Sequence, residues 1–227
     1  DEILSDENKL KSVMKDELRR VKKEYATPRK TEIKDEITEI KIDQTVMIPK
    51  EDVIVMVTKD GYIKRTSKRS YQSSTEETAM KDNDYVLGLY ELNTIDTILL
   101  FTNLGNYLYV PVHAIPDVKW KEIGKHISNI IKLDEDEEII SSIPITNFDD
   151  KLDILIASKN GMIKRTTIKE FQVNRYTKPI CCMKLKDNDE VISVTNDDGK
   201  EVMIVTTNGF GLRFNIEEVS PIGIKGS

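Results

Sequence analysis

Cysteine is almost absent from this chain: its 227 residues hold two, Cys181 and Cys182, side by side. Adjacent cysteines are badly spaced for a structural disulfide and match no metal-ligand pattern. We read them as reduced, partly buried residues of a cytosolic protein. Histidine is as scarce, with His113 and His126 alone, so a histidine-based metal site is not expected. No apolar run nears the roughly 18 residues that span a bilayer. The opening DEILSDENKL has neither the basic start nor the apolar stretch of a signal peptide. It begins at Asp1 without Met, which reads as an excised piece of a longer protein. Catalytic motifs are missing too: no G-x-S-x-G, no H-E-x-x-H, no phosphate-cradling glycine loop and no Cys/His cluster. The five consecutive carboxylates at 134–138 lack the spacing of a cation cage and read as a solvated loop. An excess of positive charge is also absent, since 34 Lys and Arg against 40 Asp and Glu leave a formal net charge of −6. That balance argues against indiscriminate coating of nucleic acid. It leaves room for a basic stripe on one face.

What remains is an ordinary globular composition, 38% hydrophobic and 33% charged, long enough for one large domain or two small ones. Near the start, Leu10, Val13, Met14, Leu18 and Val21 recur at helical spacing. Ser5 with Asn8 three residues on forms a loose capping signal, and Pro28 ends the helix near 25–27. Such an amphipathic helix wants a partner surface. Residues 29–50 are a charged connector in which Thr38, Ile40 and Ile42 alternate with charged residues, as a short strand would. From residue 51 the texture becomes short β-branched and aromatic runs between polar turns, an all-β signature.

That region repeats four times: DVIVMVTKDGYIKRTS, TILLFTNLGNYLYVPV, DILIASKNGMIKRTTI and EVMIVTTNGFGLRFNI. Each copy is an apolar run, a Thr or Ser, two turn residues, a glycine and a second strand. The glycines are Gly61, Gly105, Gly161 and Gly209, at intervals of 44, 56 and 48 residues. Asp60-Gly61, Asn160-Gly161 and Asn208-Gly209 suit a tight hairpin turn. Leu104-Gly105 departs from that chemistry, and a different turn is expected there. Further strands are expected at 85–90, 138–145 and 191–195. Three or four strands per interval point to a radial array of blades. The nearly unbroken apolar first strands suit positions covered on both faces.

The strand leaving each glycine is the candidate for binding. Four residues beyond the glycine stand Arg65, Tyr109, Arg165 and Arg213. Lys64 and Lys164 precede two of these, but strand neighbours face opposite ways, so only one of each Lys-Arg pair can join a common surface. Basic density gathers in three places: Lys64, Arg65, Lys68 and Arg69 with Tyr71 nearby; Lys119, Lys121, Lys125 and His126 around Trp120; and Lys164, Arg165 and Arg175. Such residues on strand ends and loops suit a phosphate backbone, which fixes register without reading sequence. For any single lysine the competing use is to deter edge-to-edge aggregation. Trp120, Tyr107 and Tyr109 read as blade packing rather than base stacking.

The phrases VTKDGYIKRTS, IPDVKWKEIGKHIS and SKNGMIKRTTIKEF resemble the C-terminal domain of the bacterial topoisomerase IV A subunit, in the gyrase and topoisomerase IV A-subunit family. KLKSVMKDELRRVKKEYATPR resembles the last helix of that subunit's breakage-reunion domain. The resemblance implies a β-pinwheel, a propeller-like ring whose neighbouring four-stranded blades exchange strands, preceded by one α-helix. It implies 1–28 as the end of the upstream domain, 29–50 as linker and 51–227 as the pinwheel. It further implies a non-catalytic domain that binds and bends double-stranded DNA on a basic rim. The catalytic tyrosine would lie elsewhere, no cofactor would be held here, and the partners would be the breakage-reunion domain and the ATPase B subunit. A bacterial cytoplasmic, nucleoid-associated, non-membrane setting follows. Two departures matter. Gyrase carries a QRRGGKG box after its first hairpin, where this chain reads SKRSYQSSTEETAMKDND, which favours bending over full wrapping. Four blade signatures stand where the family has five or six, so the ring is truncated or open. The competing readings are a gyrase domain with a degenerate box, a protein-interaction propeller and, last, an enzyme.

Overall fold

The structure is a computed structural model and describes residues 6–28, 30–31, 48–74, 77–196, 199–224 and 226. The chain divides into two compact units, Asp1–Ile42 and Asp43–Ser227. In the first, helix α1 spans Glu7–Tyr25. Its cap is Asp6, whose carboxylate accepts from the Asn8 N–H at 2.9 Å; the expected Ser5 lies outside the described residues. Ion pairs Lys11–Glu7 at 2.7 Å and Arg19–Asp16 at 3.2 Å run along it. None of its residues is buried, and Leu18 is 66% exposed. The strand expected around Thr38–Ile40–Ile42 lies outside the described residues.

The second unit is built from four hairpins: β1 (Asp52–Thr58) with β2 (Tyr62–Ser67), β4 (Thr97–Thr102) with β5 (Asn106–Pro111), β8 (Asp153–Ser158) with β9 (Ile163–Thr167), and β12 (Glu201–Val205) with β13 (Gly211–Asn215). All four turns are alike, including the one at Leu104-Gly105 where another type was expected. Each glycine takes a φ between +77° and +85° while the residue before it stays at negative φ. The glycine N–H donates to the carbonyl three residues back, at 3.0–3.2 Å. This is the three-residue loop that ends in a left-handed glycine. Only the glycine needs positive φ, so Leu104 carries no strain. The Thr or Ser three residues before each glycine has a mechanical role. Its hydroxyl accepts from the N–H just past the glycine, in Thr58, Thr102, Ser158 and Thr206 alike, at 3.1–3.3 Å.

Inner third strands β3 (Val86–Asn93), β7 (Ile139–Ile145) and β11 (Val191–Thr195) pair with β1, β4 and β8, close to where they were expected. The outer positions are filled by exchange. After β5 the chain returns to the first blade, where β6 (Lys125–His126) pairs with β2. After β9 it returns to the second, where β10 (Ile180–Cys181) pairs with β5. The sheets therefore run β3-β1-β2-β6, β10-β5-β4-β7, β11-β8-β9 and β12-β13.

The alternation of β4 shows why these strands are apolar throughout. Ile98 and Leu100 enter the core shared with Val53, Val55, Ile63 and Ile127, while Leu99 and Phe101 enter the core shared with Ile154, Ile156 and Phe171. Successive side chains point to opposite faces, so a strand sandwiched between two blades has no polar face. Each of the four residues is at most 1% exposed. On the last hairpin Met203 and Phe210 are 69% and 73% exposed. Cys181 is exposed and Cys182 buried, both free; burial pushes the Cys182 thiol up to about 12. The acidic loop differs from expectation at Glu137, which is 6% exposed. Its carboxylate accepts from Thr102 and Asn106 at 2.7 and 2.8 Å and so braces the second turn.

Candidate nucleic-acid interface

The two lysines three residues past the glycine turn inward. Lys64 is 0% exposed and Lys164 4%. The Lys64 ammonium donates to the Thr78 hydroxyl and to the carbonyls of Trp120 and Glu122, and it sits 4.6 Å from the centroid of the Trp120 ring. Burial pushes its pKa down to about 8, against the pull of Glu122. Lys164 repeats the arrangement, donating to the carbonyls of Ile224 at 2.9 Å and Gly226 at 2.7 Å. Neither amine faces solvent, so both leave the set of phosphate contacts. Burying a charge is tolerable here because several acceptors replace its water.

The position one residue further on is a junction between blades. Arg65 donates its backbone N–H to Pro116 O at 3.0 Å and accepts from Val118 N–H at 3.1 Å, while Arg165 accepts from Ile222 N–H at 2.9 Å. The side chains are held from below by the residue eight before the glycine. There Asp153 meets the Arg165 Nε at 2.6 Å, with both side chains 19% exposed. Arg165 also donates to Ile216 O at 3.3 Å and Val219 O at 3.5 Å. Glu201 pairs with Arg213 in the same way, and Thr97 donates to the Tyr109 hydroxyl at 3.4 Å. Tyr109 stacks on Phe148 and meets Tyr176 at a tilt, with centroids 5.7 and 5.5 Å away. In the first blade Val53 occupies the carboxylate's place. Arg65 is left without that partner, and its buried Nε makes no hydrogen bond. His113 is lowered from the usual imidazole pKa by desolvation first and by the Arg65 charge second.

Elsewhere the structure brings together two clusters some fifty residues apart in sequence. Helix α2 (Lys68–Ser73), capped by the Ser67 hydroxyl at 3.2 Å from Ser70 N, carries Arg69 and Tyr71. The returning segment carries Lys119, Trp120 and Lys121. Tyr71 meets Trp120 edge to face, with centroids 4.6 Å apart. Between them lies a groove of about 390 Å³, lined by Arg69, Lys119, Trp120, Lys121, Ser67, Ser70, Ser73 and Ser74, with no carboxylate among the described residues of its wall. Arg69, Lys119 and Lys121 are exposed and form no ion pair among the described residues. The serines were not singled out from sequence; their signal is the SKRSYQSS run.

The other expected residues fall outside this groove. Lys68 is neutralised by Glu91 and by Asp52 at 3.7 Å, and the Glu91 hydrogen bond raises its pKa. Lys125 is exposed on β6. His126 packs on Tyr62 at 5.4 Å and lines a separate cavity of about 540 Å³ with Asp134, Glu135, Glu137 and Glu138. Arg175 is exposed on the third blade. Tyr107 is buried and donates to Phe171 O at 3.2 Å. Among the described residues no group of three or more His, Cys, Asp or Glu is arranged to hold a metal ion, and no helix is long and apolar enough to cross a membrane.

Exchanged strands in repeated hairpin blades define a propeller-like class, and comparison with known proteins agrees. The family described as DNA gyrase C-terminal domain, beta-propeller, matches residues 52–75, 96–146, 152–196 and 200–226, and the chain belongs to that family. Within it, the chain is 44% identical over 225 residues to the A subunit of DNA topoisomerase 4 from Bacillus subtilis, covering 98% of this chain and 28% of that protein. Its identity to the same protein of Staphylococcus epidermidis is 42%, at the same coverage. The chain thus spans just over a quarter of these relatives. A crystal structure of the C-terminal domain of DNA topoisomerase IV superposes with a TM-score of 0.75 at 51% identity, over 78% of this chain and 56% of that one. The E. coli ParC C-terminal domain, at 14% identity and a TM-score of 0.62 over 76% of this chain and 68% of that one, shares the fold.

Proposed function

We propose that this chain is the non-catalytic DNA-binding and DNA-bending domain of the A subunit of a type IIA topoisomerase. In this reading it helps topoisomerase IV choose and position duplex segments for ATP-dependent strand passage. The observation that carries it is the groove in which, among the described residues, Arg69, Lys119 and Lys121 form no ion pair and no carboxylate lines the wall. Such a surface neutralises phosphates and donates hydrogen bonds to them without reading bases. Arg65, Lys125 and Arg175 extend the path, whereas Arg165 and Arg213 are already neutralised by carboxylates. Strand cleavage belongs to an upstream breakage-reunion domain, which residues 1–28 would complete, with 29–50 as linker. The ATPase B subunit is the partner of the whole protein. The domain works without a cofactor of its own, in the bacterial cytoplasm.

Equilibrium binding to unrelated duplexes tests this. Arg69→Ala and Lys119→Ala should each weaken binding by about 1 kcal/mol, alike on every sequence. Bent or crossed DNA should bind more tightly than straight duplex. Loss of affinity on one sequence only would refute backbone recognition. Equal affinity for bent and straight DNA would refute the shaping role.

A further inference from the structure

The basic groove has two walls from different blades, and one buried group holds them together. Arg69 and Tyr71 belong to the first blade through α2. Lys119, Trp120 and Lys121 belong to the segment returning from the second. That segment pairs through backbone hydrogen bonds at Pro116 and Val118 and again at β6. Between these anchors the carbonyls of Trp120 and Glu122 accept from the Lys64 ammonium. Thr78 closes the arrangement, accepting from Lys64 and donating to Trp120 O at 2.9 Å. Lys164 makes the same clamp on Ile224 and Gly226. There the matching residues 223–225 read GIK, one basic residue against the two of KWK at 119–121. The second blade has Leu108 at this position and no such clamp.

The structure assigns Lys64 the role of positioning residue for the basic groove: its buried ammonium, beneath the Trp120 ring, seats the returning segment so that Lys119 and Lys121 stand exposed beside Arg69. The assignment rests on the DNA-binding reading of the groove. Lys64 itself touches no DNA. Its effect would pass through backbone carbonyls, which explains why a lysine is kept where an apolar side chain would cost less to bury. A neutral residue there leaves the Glu122 carbonyl without its donor and Trp120 O with Thr78 alone, which loosens the returning segment.

Trp120 is the chain's one tryptophan, so its fluorescence reports on the segment directly. The intact 227-residue chain is compared with its Lys64→Met, Thr78→Val and Lys164→Met variants, using acrylamide quenching and binding to a straight duplex of arbitrary sequence. Lys64→Met should raise the quenching constant about twofold through local opening. It should weaken duplex binding about 5- to 10-fold as two phosphate contacts are misplaced. Thr78→Val, milder and safe for folding, should move both in the same direction by less. Lys164→Met should leave both unchanged. Wild-type Trp120 emission should titrate as pH rises through about 8, where burial, against the pull of Glu122, makes the Lys64 ammonium beneath the ring lose its charge; the Met variant should lack that transition. Unchanged quenching in both Lys64→Met and Thr78→Val overturns the clamp. Increased quenching with unchanged affinity leaves the clamp standing and overturns the DNA reading of the groove.

Discussion

The junction between the first and second blades and that between the third and fourth follow one plan with different charges. In both, a lysine three past the glycine clamps returning carbonyls, and an arginine four past it brackets the same segment. At the later junction the arginine is neutralised by Asp153, the equivalent of Arg69 is Lys169 paired with Asp149 at 3.0 Å, and Glu217 faces the cavity beside Arg165. At the earlier one Val53 stands in place of Asp153, Arg69 forms no ion pair among the described residues, and two lysines stand at 119–121 against one at 223–225. The recurring features are scaffold, since they join one blade to the next whatever the blade binds. The candidate function lies in what does not recur. The junction between the second and third blades makes the point from another side: Leu108 and the Tyr109–Phe148–Tyr176 aromatic cluster stand where the other two junctions have a lysine and an arginine.

Three pairs of substitutions sharpen this contrast. The largest effect is expected on stability. Arg165→Met strands the partly buried Asp153 carboxylate and should cost about 3 kcal/mol. Arg65→Met strands no carboxylate and should cost less than about 1 kcal/mol. Urea unfolding midpoints separate the two, and equal losses would contradict the scaffold role assigned to the Asp153–Arg165 pair. Next comes charge reversal at equivalent exposed sites. Arg69→Glu should lower duplex affinity about 10- to 30-fold, and Lys169→Glu about twofold or less, because Lys169 is already matched by Asp149. Titration at fixed salt decides it; comparable losses would mean that DNA contacts are spread evenly over the blades. The smallest difference concerns the turns. Gly161→Ala places alanine at φ +85° in open space and should cost about 1 kcal/mol. Gly61→Ala adds contacts at 3.1 Å to His126 on the exchanged strand and 3.3 Å to Ile127 just after it, and should cost about 1 kcal/mol more. Thermal unfolding of the two variants measures the contribution of that strand.

Much of the scaffold was legible because hairpins are local. The Thr or Ser, the glycine and the apolar run sit within a dozen residues, and each has a hydrogen bond or buried face to explain it. The inner strands were visible for the same reason. The exchanged strands β6 and β10 were not, since each is two residues long and paired with a hairpin far upstream. Strand alternation alone turns each Lys-Arg pair to opposite faces, but nothing local says which residue turns inward. That choice depends on carbonyls arriving from residues 120 and 122. The neutralisation of Arg165 and Arg213 was open to inspection. Pairing the residue eight before each glycine with that four after it gives Val–Arg, Thr–Tyr, Asp–Arg and Glu–Arg. The meeting of Tyr71 with Trp120 needed the fold.

The central claim, that duplex binding concentrates on the groove between the first two blades, is tested most directly by the salt dependence of binding. Wild type and the combined Arg69→Ala, Lys119→Ala, Lys121→Ala variant are titrated with one duplex across a range of salt concentrations. Loss of three phosphate contacts should shallow the slope of log K against log salt by about 2.7. An unchanged slope would contradict the account.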